Sequence, residues 1–144
     1  MLKGINPLLN PSLLHVLAAM GHGDELAVVD RNYPAYAAGR PVIHLDGVGA
    51  SVAIAAILEL LPLDTFVEHP LLHMHEGDAT GDALPVHSEV LSLSQAAEGR
   101  PIRMAPLQRG EFYERARQSR AVVTTGETRP YSCFLLVKGV LPSG

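Results

Sequence analysis

Cysteine is nearly missing from this 144-residue chain: Cys133 is the only one. A lone thiol forms neither an internal disulfide nor a cysteine-rich zinc site, which fits a reducing compartment. Positive charge is also thin. The net charge is −4 and the lysines and arginines are scattered. Nucleic acid demands a basic stripe, so it is not an expected partner. No apolar run reaches membrane length. The longest, residues 48–63, is shorter than the roughly 20 residues a span requires and carries Glu59. The opening "MLKGINPLLNPSLL" is broken by Asn6, Pro7, Asn10 and Pro11, unlike the apolar core of a signal peptide. A soluble, cytoplasmic protein with no membrane partner is expected. Phosphate-loop, G-x-G-x-x-G and G-x-S-x-G motifs are absent, as are repeats and linkers. Any catalysis is therefore expected from side chains, with acid–base chemistry the obvious form.

Apolar residues make up 47% of the chain, enough for the core of one domain over residues 1–144. Asn10 and Pro11 open a first helix, and Gly21 is placed to end it. Further helices are expected over residues 50–61, 86–98 and 110–119. Short apolar strands are expected over 25–30, 41–46, 101–107, 121–127 and 132–139. Residues 31–39 read as a loop. Residues 64–75 mix β-formers with Pro70, so they read as a broken or edge strand. Alternating helices and apolar strands predict an α/β sandwich, a mainly parallel sheet covered by helices on both faces.

In such sheets ligands bind beyond the carboxyl ends of the strands. Asp30 and Asp46 close two strands, and Arg109 lies between a strand and a helix, so the three are expected on one rim. His22 sits in the glycine-flanked turn "GHGD" that feeds the first strand, and reaches that rim only from a neighbouring loop. The residue pattern leaves two readings open. Asp30 either serves a site or caps the turn "DRNYP". His22 is either a proton carrier or part of a helix-ending turn. Asp24 reads as a turn or surface charge. His69, His73, His75, Glu76 and Asp78 form a second polar group. A strand places His73 and His75 on one face, where a zinc pair is conceivable. Their spacing matches no zinc signature, and a polar strand end is the preferred reading. Cys133 at a strand start reads as packed rather than nucleophilic.

The segments "MGHGDE", "VVD", "QRGEFYERA", "VVTTGE" and "YSCFLLVKGV" resemble the L-fucose mutarotase and D-ribose pyranase family. The match runs in order over nearly the whole chain, and "FYERA" and "TTGE" favour the fucose branch. The resemblance implies a small α/β protein in a ring-like homo-oligomer, with sites near subunit contacts and no cofactor, that interconverts the anomers of a monosaccharide. It implies that His22 is the proton donor, that Asp30 and Arg109 bind sugar hydroxyls, and that residues 131–133 form a late sugar-contacting tripeptide. That tripeptide is usually Tyr-Gly-Asn. Here Tyr131 matches while Ser132 and Cys133 depart, which puts the preferred sugar in question. Tyr113 is a further candidate or a packed helix residue. The family carries apolar residues at His73 and His75. Two alternatives remain: pyranose–furanose exchange on D-ribose, and a non-catalytic sugar-binding or transport-accessory protein. Helix 50–61 and the late strands are expected to supply subunit contacts.

Overall fold

The computed structural model describes residues 1–77 and 81–143. The elements run α1 (Pro11–Ala19), β1 (Glu25–Val29), a 3₁₀ turn (Ala35–Ala38), β2 (Val42–Leu45), α2 (Ala50–Leu58), β3 (Leu71–Met74), α3 (Pro85–Glu98), β4 (Met104–Leu107), α4 (Arg109–Ala116), β5 (Val122–Thr125) and β6 (Phe134–Val137). The strands form one sheet in the order β2-β5-β1-β6-β3-β4. Five strands share a direction. β6 alone is reversed, pairing antiparallel with both β1 and β3. The mainly parallel sandwich is thus the observed fold.

Strand alternation builds two cores. Leu26 and Val28 of β1 and Phe134 and Leu136 of β6 face α1, α2 and α3. Ala27, Val29 and Leu135 face α4 with its fully buried Phe112. Burying such an aromatic contributes about 1.5–3 kcal/mol. Both faces are covered, so the strands read as unbroken apolar runs. The Asn10 side chain accepts from the Leu13 N–H at 2.9 Å, as expected of the α1 cap. The α1 end differs from expectation. Met20 turns out in extended geometry, and it is Gly23, at φ +86°, that takes the left-handed turn.

Of the two alternatives for 64–75, a broken strand is what forms and the edge position is corrected. Only Leu71–Met74 is strand, and it lies inside the sheet between β6 and β4. Pro70 ends the irregular stretch rather than marking an edge. The true edge is β4, which accommodates Pro106 there because no neighbour asks for its missing N–H. Among the described residues no helix is long and apolar enough to cross a membrane.

Candidate active site

The carboxyl ends of β1 and β4 border an open cleft of about 270 Å³ lined by Asp30, Tyr33, Arg109, Tyr113, Tyr131 and Cys133, with neighbouring backbone. Asp30 is 8% exposed. Its Oδ1 accepts from the Asn32 N–H at 3.0 Å, so the turn-capping reading is correct as far as it goes. The cap occupies one oxygen and the carboxylate still faces the cleft. Arg109 opens α4, where its Nε donates to the Tyr113 hydroxyl at 3.1 Å and its guanidinium lies 5.2 Å from that ring's centre. Tyr113 therefore stands in the cleft and steadies the arginine. Tyr33, in the stretch whose sequence reads as loop, packs edge-on against Phe112 and Tyr113. Burial, then nearby Cys133 and Tyr113, raises its phenol pKa, keeping it a neutral hydrogen-bonding group.

The tripeptide splits. Tyr131 lines the cleft in the left-handed region at φ 59°, the only non-glycine residue there among the described residues. The Ser132 side chain does not serve the cleft: it is fully buried and its hydroxyl donates to the Arg129 carbonyl at 2.8 Å. Cys133 lies at the cleft floor, 2% exposed, with its thiol against Asp30. Burial, and then the Asp30 charge, pushes that thiol well up, so it remains protonated and unreactive.

Asp30 also walls a second cleft of about 500 Å³ that includes His44, Asp46 and Thr124. Thr124 Oγ1 donates to Asp46 Oδ1 at 2.7 Å, and His44 Nδ1 lies 3.1 Å from Asp46 Oδ2. Asp30, Asp46 and Arg109 thus share one end of the sheet, as parallel strands require.

His22 does not. It precedes β1, whereas Asp30 follows it. At about 3.3 Å per strand residue the two ends lie roughly 20 Å apart. The expectation that a neighbouring loop carries His22 to the rim is therefore corrected for a single chain. Backbone pairing pins the turn in place: the Gly23 N–H donates to the Lys138 carbonyl at 2.8 Å. Asp24 holds the same turn by accepting from the Gly21 N–H at 2.8 Å, as its turn reading requires.

No local sequence signal marks the partner of His22. Its Nε2–H donates to Asp64 Oδ1 at 2.9 Å. Asp64 is 1% exposed and also accepts from the Thr65 and Val67 N–H groups. Burial alone would raise the Asp64 pKa. The Phe66 N–H and the His22 imidazole outweigh it and hold the carboxyl below its usual range. An ionised Asp64 accepts only, so Nε2 of His22 carries the proton and Nδ1 is the free nitrogen. The Phe66 ring stands edge-on at 4.7 Å, itself 73% exposed. "LPLDT" matches no catalytic signature, and only the fold brings Asp64 across 42 residues to His22.

Glu127 of "TTGE" was also overlooked. It is buried, takes Arg129 bidentately at 2.9 and 3.0 Å, and accepts from the Ala50 N–H at the start of α2. These bonds, Arg129 first, hold its carboxyl down to about 2. A Cβ at Gly126 would lie 2.3 Å from the Asp46 carbonyl oxygen, so that position admits only glycine. "TTGE" is an anchor for the turn that carries Tyr131.

His73 and His75 do share a face, under α3, where the His87 ring stacks on His73 at 3.8 Å. His87 spends both nitrogens on backbone and His75 Nε2 accepts from the Gly81 N–H. Among the described residues no three His, Cys, Asp or Glu side chains converge on a metal-sized point. Asp78 lies outside the described residues.

Comparison with known proteins completes the picture. The chain is 42% identical to an L-fucose mutarotase of Histophilus somni (strain 2336), with 99% of each chain covered. It is 44% identical to a fucose mutarotase of Homo sapiens, covering 97% of this chain and 94% of that one. The crystal structure of the Streptococcus pneumoniae fucose mutarotase in complex with L-fucose superposes with a TM-score of 0.84 at 36% identity, covering 98% of this chain and all of that one. Over residues 3–141 the sequence matches a single family description, and this chain belongs to the RbsD / FucU transport protein family.

Proposed function

We propose that this chain is a cofactor-independent monosaccharide mutarotase, an isomerase that interconverts the α and β anomers of L-fucose or a similar sugar. The names of its full-length relatives support the reaction class. The observation that carries the residue roles is the division of the site. A half-exposed imidazole paired with a buried carboxylate sits at one end of β1, and a cleft with a carboxylate, a guanidinium and three tyrosines sits at the other. A second copy joins the halves, so His22 of one chain faces the Asp30–Arg109 cleft of the next in a ring-like homo-oligomer. Exposed Phe66 and Val67 beside His22, with Val140 and Leu141 just beyond Lys138, supply apolar surface for that contact. In the cytoplasm the single thiol stays reduced.

Anomer exchange needs ring opening and closure. Opening takes a proton from the anomeric hydroxyl and gives one to the ring oxygen. The C1–C2 bond then rotates to present the other face of the aldehyde, and closure reverses the transfers. His22 Nδ1 exchanges the proton while Asp64 fixes the tautomer. Asp30 accepts from a sugar hydroxyl, Arg109 donates to another through its planar fork, and Tyr113 and Tyr131 bound the pocket. Cys133 beside Asp30, where the family's usual asparagine would offer an amide, tunes which hydroxyl pattern fits.

Saturation-transfer NMR of anomer exchange tests this. Wild-type protein accelerates exchange of L-fucose or a close analogue, and His22→Gln slows it by about 10²–10⁴-fold without unfolding. Unchanged exchange in His22→Gln refutes the proton-carrier role. Acceleration confined to ribose pyranose–furanose exchange, or saturable sugar binding without acceleration, selects one of the two alternatives instead.

A further inference from the structure

The histidine group beneath α3 serves no step of the proposed chemistry, yet it touches the cleft at one atom. His87 is the third residue of α3 and is fully buried. Its Nδ1 accepts from the Leu84 N–H at 3.0 Å, and its Nε2 lies 2.8 Å from the Tyr131 carbonyl oxygen. A backbone N–H only donates and a carbonyl only accepts, so both partners fix one neutral tautomer with the proton on Nε2. The left-handed backbone of Tyr131 is disfavoured for a side chain of its size and persists only where surroundings hold it. The Nε2–H of His87 is such a restraint.

We propose that His87 is a positioning residue for the sugar site. Its bond to the Tyr131 carbonyl holds the left-handed turn that sets the tyrosine ring in the cleft, and the stacked His73 keeps the imidazole in plane. The functional half of this inference rests on the mutarotase reading; the structural half does not.

The surroundings suit a neutral latch. His73 stacks on His87 with 27° between ring planes, and Phe134 of β6 meets His87 edge-on at 5.7 Å. His73 donates from Nδ1 to the Met74 carbonyl at 3.1 Å. Burial, then neighbouring His87, pushes its pKa down to about 4. Burial likewise lowers that of His87. The groups facing the latch are His73 from β3 and His75 just past its end, the Leu84 N–H from the α3 cap, and the Tyr131 carbonyl and Phe134 ring from the β6 side. Glu89, two residues on and so on a different face of α3, is turned to Arg129 and Ser51. Adding a proton to His87 would place a donor against the Leu84 N–H and a cation against the His73 ring.

Two measurements test it. In the wild-type protein, ¹⁵N-histidine NMR at pH 7 finds His87 neutral in the Nε2–H tautomer; an Nδ1–H tautomer or an imidazolium at that pH overturns the proposal without any variant. His87→Phe keeps a ring for stacking but removes both bonds, whereas His87→Gln retains an Nε2–H donor. In His87→Phe the Tyr131 and Ser132 backbone resonances move and KM for the sugar rises about tenfold, with kcat within about threefold. His87→Gln restores most of both. Unmoved Tyr131 resonances, or equal KM values in wild type and both variants, overturn it. Should wild-type protein accelerate no sugar's exchange, the mutarotase reading fails while the tautomer and the Tyr131 resonances still decide the role of His87.

Discussion

Division of the site between copies can be tested by mixing two dead proteins. His22→Gln removes the proton carrier but leaves the cleft, and Asp30→Asn impairs the cleft but leaves the imidazole with its Asp64 partner. Within one chain the two groups stand at opposite ends of β1, roughly 20 Å apart along the strand. No side-chain motion spans that gap. A complete site in mixed oligomers therefore draws His22 from an Asp30→Asn chain and Asp30 from a His22→Gln chain. Each choice is right half the time under random assembly, so about a quarter of the sites in a one-to-one mixture are intact. The His22→Gln parent is expected at or below about 1% of wild-type exchange, since general acid–base transfer contributes about 10²–10⁴-fold, and the Asp30→Asn parent at about 1–10%, since a hydrogen bond to a charged group is worth about 1.5–3 kcal/mol. Co-expression with two different tags and tandem purification yields the mixture, and saturation-transfer NMR reads the rate. Recovery to about a quarter of wild type supports the shared site. A mixed oligomer no faster than the mean of its parents refutes it, as would full activity in a chain shown to be monomeric at the assay concentration.

Asp64→Asn keeps the shape of the buried carboxyl but abolishes its charge; anomer exchange is expected to fall about 10–100-fold, the usual cost of losing an orienting partner, and a wild-type rate would show that the His22 pairing is idle. The same Asp64 carboxyl is held below its ordinary range in the folded chain, so its contribution is complete above pH ~4 and fades as pH falls below that, and an acid unfolding titration of Asp64→Asn should be flatter there than that of wild type. Glu127, with its carboxyl near 2 when folded and near 4.5 when unfolded, adds stability that is full above about pH 5 and lost progressively toward pH 2. Glu127→Gln should cost about 1–3 kcal/mol at pH 7 by chemical denaturation and little at pH 2, and an equal loss at both would contradict the assignment. Cys133→Asn, which returns an amide beside Asp30, is expected to lower KM for L-fucose severalfold; no change in the KM ratio of L-fucose to D-ribose would remove Cys133 from sugar selection.

Most of the scaffold was readable because its signals are local. Asn10 and Pro11 cap a helix wherever they precede apolar spacing of 3.6, and both faces of the sheet are covered, so each strand shows as an apolar run. Asp30 and Arg109 were legible for a simple reason: they end or follow strands of common direction. What escaped notice depends on contacts between distant parts of the chain. Asp64 looks like a loop acid until β6 and β1 bring the segment after α2 against His22. His87 looks like one more polar residue on an amphipathic helix, since nothing nearby in sequence announces that its outer nitrogen meets Tyr131, 44 residues later. Of the broken or edge strand expected over 64–75, the edge half does not hold, because Pro70 stands just before the strand begins and leaves the pairing of Leu71–Met74 intact on both sides. Ser132 was placed among sugar contacts as part of a tripeptide, but its hydroxyl is committed to the turn.

The reversed strand β6 gives the molecule a polarity with consequences for counting. One of its ends bears the cleft tyrosine; the other, through Lys138, braces the turn of the imidazole. If the proposed shared site holds, each chain is a donor at one pole and an acceptor at the other, a solitary copy has no complete site, an open row of copies wastes one pole at each terminus, and only closure gives every chain a working centre. Under the shared-site arrangement, dilution should extinguish activity in step with disassembly.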